Sequence, residues 1–159
     1  GVFVDADVQE ALAVADAARL DVLQLHGDEP VDTWTSVGRP IVKALTLATY
    51  AASPWLDVAR AILLDAHDPQ RRGGTGVPID WHAAAAIAHR RPVILAGGLT
   101  ADNVGEAVAR VRPAALDVAS GVEQSPGLKS PARLRAFFDA VRQADARVGD
   151  AAPADKEHA

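Results

Sequence analysis

The sequence predicts a parallel α/β fold, and three observations support that prediction. Short aliphatic runs recur along the chain without strict alternation, which is typical of strands covered on both faces in a parallel sheet. Segments with helical periodicity separate most of these runs, so strand and helix alternate six times. Glycines and polar residues stand where nearly every run ends, which is how the active sites of βα-barrels are built. We therefore favour part of an eight-stranded (βα)8 barrel over an open doubly wound sheet, which periodicity alone would also allow.

Each predicted strand is short and apolar, and residues suited to a binding site follow it. The strands are expected at residues 2–4, 22–25, 41–45, 61–64, 93–96 and 116–119. The residues at their carboxyl ends are Asp5, His26 and Gly27, Asp65, Gly97 and Gly98, and Ser120 and Gly121. In a parallel barrel these ends meet on one side, so the residues are predicted to surround a common site.

The predicted helices begin at polar N-cap residues. Asp7, Asp80, Thr100 and Ser130 each stand ahead of a segment with apolar residues at helical spacing. Short or broken helices are expected after residues 25 and 45, because the apolar pattern there is weak and Pro54 interrupts it.

The composition indicates one soluble globular domain without nucleic-acid or membrane partners. Hydrophobic residues make up 49% of the 159 residues and charged residues 23%, and the net charge is −5. No basic run exceeds two residues, and no apolar stretch reaches the roughly 18 to 20 residues that cross a bilayer. No charged and apolar leader precedes Gly1, so we expect a cytoplasmic protein.

The absence of two residue types also bears on the site. Without cysteine the sequence has neither a thiolate metal site nor a cysteine nucleophile, and its histidines show no metal-ligand spacing. We predict neither a metal nor another cofactor. Methionine is absent as well, and the chain opens on Gly1 inside an apolar run, so its start is expected to be a cut within a longer chain.

Two glycine-rich strand ends late in the chain are candidates for binding phosphate. Gly97 and Gly98 end one strand, and Ser120 and Gly121 follow the next. Glycine lets the backbone approach an anion, and the free N–H groups at a helix start bind phosphate without a basic side chain. The stretch after Gly121 leaves room for the extra short helix that often completes such a site in barrels. The alternative for Gly97 and Gly98 is a tight strand-to-helix turn.

Two aspartates are candidates for contact with a substrate. Asp65 follows a buried strand, and a partly desolvated carboxyl group there is suited to donate a proton near neutrality. The alternative is a loop aspartate that caps a neighbour. Asp117 lies inside the predicted strand 116–119. We expect it either to bond a substrate hydroxyl, to hold the phosphate loop, or to make a purely structural hydrogen bond.

Three further side chains are weighed between a functional and a structural role. A desolvated Lys43 could form a Schiff base with a carbonyl substrate, but we favour an ion pair with a neighbouring carboxylate inside the barrel. His26 either contacts substrate or is held by hydrogen bonds at its strand end. Thr75 lies in the longest strand-to-helix loop, 67–79, which is either a lid that donates to the ligand or a flexible connection.

Seven short motifs are specific in their order and spacing, although each is weak alone. They are QLHGDE at 24–29, KAL at 43–45, LD at 64–65, GGTG at 73–76, LAGGLT at 95–100, NV at 103–104 and DVASGVE at 117–123. Together they resemble the phosphoribosylanthranilate isomerase family over roughly residues 1–141. The resemblance implies a (βα)8 barrel of the ribulose-phosphate-binding type, with strands 3 to 8 present and the first two βα units missing.

The resemblance also implies an activity, the Amadori rearrangement of N-(5-phosphoribosyl)anthranilate to the corresponding ribulose 5-phosphate derivative in tryptophan biosynthesis. Asp65 matches the family's general acid, which protonates the furanose ring oxygen so that the ring opens to a Schiff base. Gly98, Ser120 and Gly121 match its phosphate-binding loops, and Asp117 matches a position near the substrate. The family's general base, a cysteine of the first strand, and an arginine of the second strand have no counterpart in this sequence.

These expectations define the domains and the alternatives. Residues 1–147 are expected to form a partial isomerase barrel, followed by a flexible tail at 148–159. The expected partner is a phosphorylated small-molecule substrate, and a further expectation is fusion to, or association with, other tryptophan-pathway enzymes. Without the base, the chain by itself is expected to be inactive. The alternatives are a lyase or synthase barrel that uses Lys43 and a non-catalytic phosphate-binding fragment.

Overall fold

The computed structural model describes residues 1–65 and 79–150, which form alternating strands and helices. In chain order these are β1 (Val2–Phe3), α1 (Val8–Ala17), β2 (Leu23–Leu25), α2 (Val31–Trp34), β3 (Ile41–Leu45), α3 (Leu47–Tyr50), β4 (Ala61–Leu64), α4 (Trp81–Ala88), β5 (Val93–Leu95), α5 (Val104–Val111), β6 (Ala115–Leu116), β7 (Glu123–Ser125), β8 (Leu128–Lys129) and α6 (Pro131–Asp150). Turns of 3₁₀ helix lie at Pro54–Leu56 and Ser120–Val122. In these ranges no helix combines the length and the apolar character that crossing a membrane requires.

The strands β1 to β6 form one parallel sheet in sequence order, as the sequence predicted. Each strand therefore pairs with the strands that precede and follow it in the chain, and all carboxyl ends lie at the same edge. The strands β7 and β8 form a separate antiparallel hairpin. This order places every strand-to-helix loop along one edge of the sheet.

The sheet is apolar on both faces, which explains why the strands lack strict alternation. The face covered by the helices carries large side chains that belong to the main core, listed here by strand as Leu23 and Leu25, Ile41 and Leu45, Ile62 and Leu64, and Val93 and Leu95. The opposite face, which we call the inner face, carries a smaller cluster built on Ala44, Leu63 and Ala96. Because side chains alternate along a strand, residues two positions apart share a face.

The predicted helix starts agree with the structure at three of four places. The carboxylate of Asp7 accepts hydrogen bonds from the first turn of α1, and that of Asp80 does the same for α4. The hydroxyl of Ser130 accepts from the N–H of Arg133 in α6. Thr100 does not cap α5, because that helix begins only at Val104.

Two predicted segments differ from the structure near the end of the chain. The strand predicted at 116–119 is Ala115–Leu116, because the chain leaves the sheet to enter the 3₁₀ turn at Ser120–Val122. That turn and the hairpin β7–β8 occupy the place where a further short helix was expected. The helix α6 continues to Asp150, past the predicted boundary at residue 147, and residues 151–159 lie outside the described part of the chain.

Candidate active site

The carboxyl edge of the sheet brings three of the predicted site residues onto the inner face. Asp65 lies two residues beyond Leu63, which belongs to the inner cluster. His26 and Asp117 follow Leu25 and Leu116, both of which pack in the main core, so alternation turns these two side chains to the inner face as well. The inner face at this edge therefore combines an imidazole with two carboxyl groups.

His26 and Asp65 are in direct contact. The His26 Nε2 lies 3.1 Å from the Asp65 Oδ2, and the two side chains are 28% and 19% exposed. Both residues are fixed through the backbone, because the N–H of His26 donates to Phe3 O at 2.8 Å and that of Asp65 donates to Leu45 O at 3.0 Å. The contact is therefore well ordered and still accessible to a ligand.

The small side chain of Ala44 lies between the strands that carry this pair. The strands β2 and β4 both pair with β3 and not with each other. Ala44 stands on the inner face of β3, where it is paired in register with Leu63, and it is 8% exposed. Since alanine extends only a methyl group above the sheet, the His26 ring can reach Asp65 across β3.

Asp117 lies directly after β6 rather than inside a strand, which corrects the sequence-based expectation. Its N–H donates to Leu95 O at 2.9 Å, just as the N–H of Ala96 donates to Leu64 O at 2.8 Å. The two bonds continue the ladder past the strand ends. Asp117 is half-buried and points to the same face as Asp65.

The two glycine-rich loops that were predicted to bind phosphate are in contact. Gly97 and Gly98 have φ angles of +83° and +66°, a backbone conformation that favours glycine. A Cβ atom placed on Gly121 would lie 1.8 Å from Leu99 O, so only glycine permits this approach of the two loops. The structure thus brings Gly121 against the loop that contains Gly97 and Gly98 and that leads to the amino end of α5.

Asn103 holds the first of these loops, a role that the sequence analysis did not assign. Its Oδ1 accepts a hydrogen bond from the N–H of Thr100 at 2.8 Å, and its Nδ2 donates to Gly98 O at 2.9 Å. The signal in the sequence was an asparagine three residues after a threonine, a spacing at which the side chain can bond the backbone locally.

Lys129 connects the second loop to the hairpin. Its Nζ donates to Ala119 O at 2.9 Å and to the Glu123 Oε1 at 2.6 Å. The hydrogen bond from Lys129 lowers the pKa of Glu123. The side chain of Lys129 is 45% exposed, so this ammonium group lies next to the loop and in contact with water.

Lys43 forms the ion pair that the sequence analysis favoured, but on the helix-covered face and not inside the barrel. Its Nζ lies 2.7 Å from the Glu29 Oε2, and the two side chains are 4% and 1% exposed. Lys43 stands two residues from both Ile41 and Leu45, which explains its direction. It therefore points away from the face that carries His26 and Asp65.

Glu29 connects this pair to the loops above it. Its Oε1 accepts the N–H groups of Asp5 and Gly27 at 3.1 and 2.9 Å, and Trp55 Nε1 donates to its carbonyl at 3.1 Å. Burial raises the pKa of the Glu29 carboxyl group, but the hydrogen bonds from Lys43 and from backbone N–H groups outweigh it, so that the pKa lies below 4.5. The role of Glu29 was not predicted, although the residue belongs to the motif at 24–29.

Asp5 has a structural role at this edge. Its Oδ1 accepts the N–H of Asp28 at 2.6 Å, and a Cβ atom on Gly27 would lie 2.2 Å from the same oxygen. The loops that follow β1 and β2 are therefore joined by side-chain contacts.

Two further predictions concern the loop residue Thr75 and the absence of a metal. Thr75 and the loop 67–79 lie, except for residue 79, outside the described residues. Within residues 1–65 and 79–150 no cluster of three or more possible metal ligands occurs.

Comparison with known proteins identifies relatives that match most of this chain. The family profile for N-(5'-phosphoribosyl)anthranilate (PRA) isomerase matches residues 1–140. An N-(5'-phosphoribosyl)anthranilate isomerase from Chromohalobacter salexigens is 47% identical over 150 residues, which make up 92% of this chain and 70% of that protein.

Solved structures agree with the sequence comparison. The crystal structure of the phosphoribosyl anthranilate isomerase from Thermus thermophilus is 43% identical, with a TM-score of 0.76 over 90% of this chain and 71% of that one. A phosphoribosyl anthranilate isomerase in complex with reduced 1-(o-carboxyphenylamino)-1-deoxyribulose 5-phosphate is 31% identical, with a TM-score of 0.75 over 90% of this chain and 70% of that one.

Fold and site first define a class, the TIM-barrel-like α/β proteins with a site at the carboxyl ends of parallel strands. Within that class, the chain belongs to the N-(5'-phosphoribosyl)anthranilate isomerase family.

Proposed function

We propose that the protein catalyses the Amadori rearrangement of N-(5'-phosphoribosyl)anthranilate to 1-(2-carboxyphenylamino)-1-deoxyribulose 5-phosphate, a step of tryptophan biosynthesis. The observation that carries the proposal is an aspartate, Asp65, held by His26 on the same sheet edge as two touching glycine-rich loops. A related isomerase of known structure binds a reduced form of this product.

Asp65 acts as the general acid. It donates a proton to the furanose ring oxygen, the bond between that oxygen and C1 breaks with its electrons moving to the oxygen, and the nitrogen lone pair completes the Schiff base. Removal of the C2 proton then gives an enolamine, which tautomerises to the aminoketose. Asp65 suits the first step because it is half-buried, oriented by a hydrogen bond and accessible from the inner face.

The glycine-rich loops hold the phosphate group of the substrate. Gly97, Gly98, Ser120 and Gly121 supply backbone N–H groups beside the amino end of α5, and the contact between Leu99 and Gly121 keeps the loops together. Asp117, on the same face of the sheet as Asp65, accepts a hydrogen bond from a ribose hydroxyl. Thr75 remains a predicted ligand contact.

The chain provides strands 3 to 8 of the complete barrel. The sheet has six strands, and the chain spans about 70% of the relatives' length, which matches six of eight βα units plus their loops. The first two units carry the general base and the arginine that the family resemblance implies. Residues 1–150, up to the end of α6, then belong to the barrel segment, in a cytoplasmic enzyme that is fused to, or associates with, others of the pathway.

A lyase or synthase based on Lys43 receives no support from the geometry. The Lys43 ammonium group is buried against Glu29 on the face of the sheet opposite to Asp65. A Schiff base at Lys43 would leave the Glu29 carboxylate buried without its cation.

The test is Asp65→Asn in the full-length native protein, assayed by the loss of N-(5'-phosphoribosyl)anthranilate. We expect kcat to fall by about 10²- to 10⁴-fold, because asparagine cannot donate an acidic proton. The control is Asp145→Asn, which changes an exposed aspartate on α6 and should leave kcat unchanged. Full activity of Asp65→Asn would show that Asp65 is not the acid, and an inactive parent protein would favour a non-catalytic phosphate-binding module.

A further inference from the structure

We infer that His26 is a positioning residue, which binds one oxygen of the Asp65 carboxyl group so that the acidic proton resides on the other. This inference rests on the proposed role of Asp65 as the general acid. From the sequence, His26 was either a substrate contact or a residue held by hydrogen bonds at its strand end, and its geometry directs the imidazole at the acid.

The side chain of Gln24 determines the tautomer of His26. The Gln24 amide nitrogen, Nε2, lies 3.4 Å from the His26 Nδ1. In this orientation the Gln24 NH₂ group donates and the His26 Nδ1 accepts, and a neutral imidazole then carries its proton on Nε2. Gln24 is therefore the residue that selects the tautomer.

The His26 tautomer determines which oxygen of the Asp65 carboxyl group carries the proton. With its proton on Nε2, His26 donates to the Asp65 Oδ2 across 3.1 Å. An oxygen that accepts this hydrogen bond is a poor place for a second proton, because two protons would then face each other. The proton of the acid form consequently resides on Oδ1.

The arrangement of His26 and Asp65 is rigid. The backbone N–H groups of His26 and Asp65 are both bonded to the neighbouring strand, which fixes the origins of the two side chains. Ala44 leaves the gap between them open, and Leu63 below is fully buried. The carboxyl group thus has one preferred rotation, and a proton on Oδ1 has one direction.

The consequence for catalysis is a contribution to kcat and not to substrate affinity. Without the hydrogen bond, the carboxyl group rotates and its proton is distributed over both oxygens. Proton transfer then waits for the productive orientation, and loss of such orientation costs about 10- to 100-fold in rate. A residue that bound the substrate equally well in the ground state and in the transition state would instead change KM.

The experiment compares His26→Leu with His26→Gln in the full-length native protein. Leucine removes the donor, and we expect kcat to fall by about 10- to 100-fold while KM changes by less than about threefold. Glutamine has an amide NH₂ group near the position of the imidazole Nε2, so it should retain kcat within about fivefold of the parent. Circular dichroism and the thermal midpoint verify that both variants fold.

Gln24→Leu provides a second test that leaves the imidazole in place. Without the amide donor the tautomer is no longer selected, and kcat should fall by about twofold to fivefold with an unchanged KM. This variant keeps the inference testable if His26→Leu does not fold. An unchanged kcat in Gln24→Leu would overturn the tautomer argument.

The double variant with Asp65→Asn separates this inference from the proposed function. If His26 acts through Asp65, adding His26→Leu to Asp65→Asn causes no further loss of kcat. Equal further loss, or a rise in KM alone, would overturn the positioning role. An inactive Asp65→Asn together with full kcat in His26→Leu would contradict only the positioning role of His26. An active Asp65→Asn would contradict the proposed role of Asp65 as the acid as well.

Discussion

Two pairs of polar side chains, one on each face of the sheet, differ in their environment. On the helix-covered face, Lys43 and Glu29 form a pair whose side chains are only 4% and 1% exposed. On the inner face, His26 and Asp65 form a pair that is 28% and 19% exposed. The first pair is sealed from water, and both the Lys43 ammonium group and the Glu29 carboxylate make further hydrogen bonds to the backbone, which suits a structural role. The second pair is open to a ligand, which suits chemistry.

The comparison predicts that changes on the helix-covered face reduce stability more than activity. Changes at the inner face and its loops should reduce activity more than stability.

The strongest test is Lys43→Met. It leaves the Glu29 carboxylate buried without its cation, so the free energy of unfolding should fall by about 3–5 kcal/mol. Urea denaturation followed by circular dichroism measures the change, and the molecules that remain folded should retain kcat.

The double variant Lys43→Met with Glu29→Gln is the matched control for that prediction. Removal of both charges should recover part of the lost stability, because no unpaired charge remains. A loss below about 1 kcal/mol in Lys43→Met would show that the pair is not structural.

A medium effect is expected for Gly121→Ala at the phosphate loops. The new Cβ atom would lie 1.8 Å from Leu99 O, so the two loops must separate. We expect KM to rise by about tenfold and stability to fall by about 1–3 kcal/mol. The control is Gly105→Ala in α5, where a Cβ atom meets nothing within 4 Å; it should add up to about 1 kcal/mol of stability and leave KM unchanged. Equal KM values in both variants would contradict the proposed phosphate site.

The smallest effect concerns the stability of the protein in acid. Since the pKa of Glu29 is lowered on folding, its contribution is present above 4.5 and is lost as the pH falls below that value toward the folded-state pKa. Glu29→Gln should therefore lose less stability than the parent between neutral pH and the acid range. Glu123→Gln is the comparison, because its partner Lys129 is 45% exposed and its pair is screened by water. An identical acid dependence of the parent and Glu29→Gln would contradict the assignment.

The sequence predicted the sheet and most helix starts because these depend on local patterns. Apolar runs, N-cap residues such as Asp7 and Asp80, and the proline after Ser130 act within a few residues, and the structure agrees with them. The family resemblance is also confirmed. The roles of Asp65, Asp117 and the glycine residues remain predictions, although the structure brings these residues to one edge.

Other features were not predictable because they depend on contacts across the sheet. Both faces of β3 are apolar, so the sequence did not show to which face Lys43 points, and the partner Glu29 lies 14 residues earlier in the chain. The contact of Gly121 with Leu99 likewise depends on the packing of two loops that are distant in sequence. The bond between His26 and Asp65 spans 39 residues and one intervening strand.

Ala44 makes the spacing of the strands part of the active site. Neighbouring strands lie about 4.8 Å apart, so β2 and β4 are nearly 10 Å apart at the level of the backbone. Their side chains approach to 3.1 Å across β3, which carries only a methyl group at this place. A shift of β2 against β4 would separate His26 from Asp65 without any change in either residue. Substitutions in distant helices that shift these strands therefore have a route by which they can tune the acid.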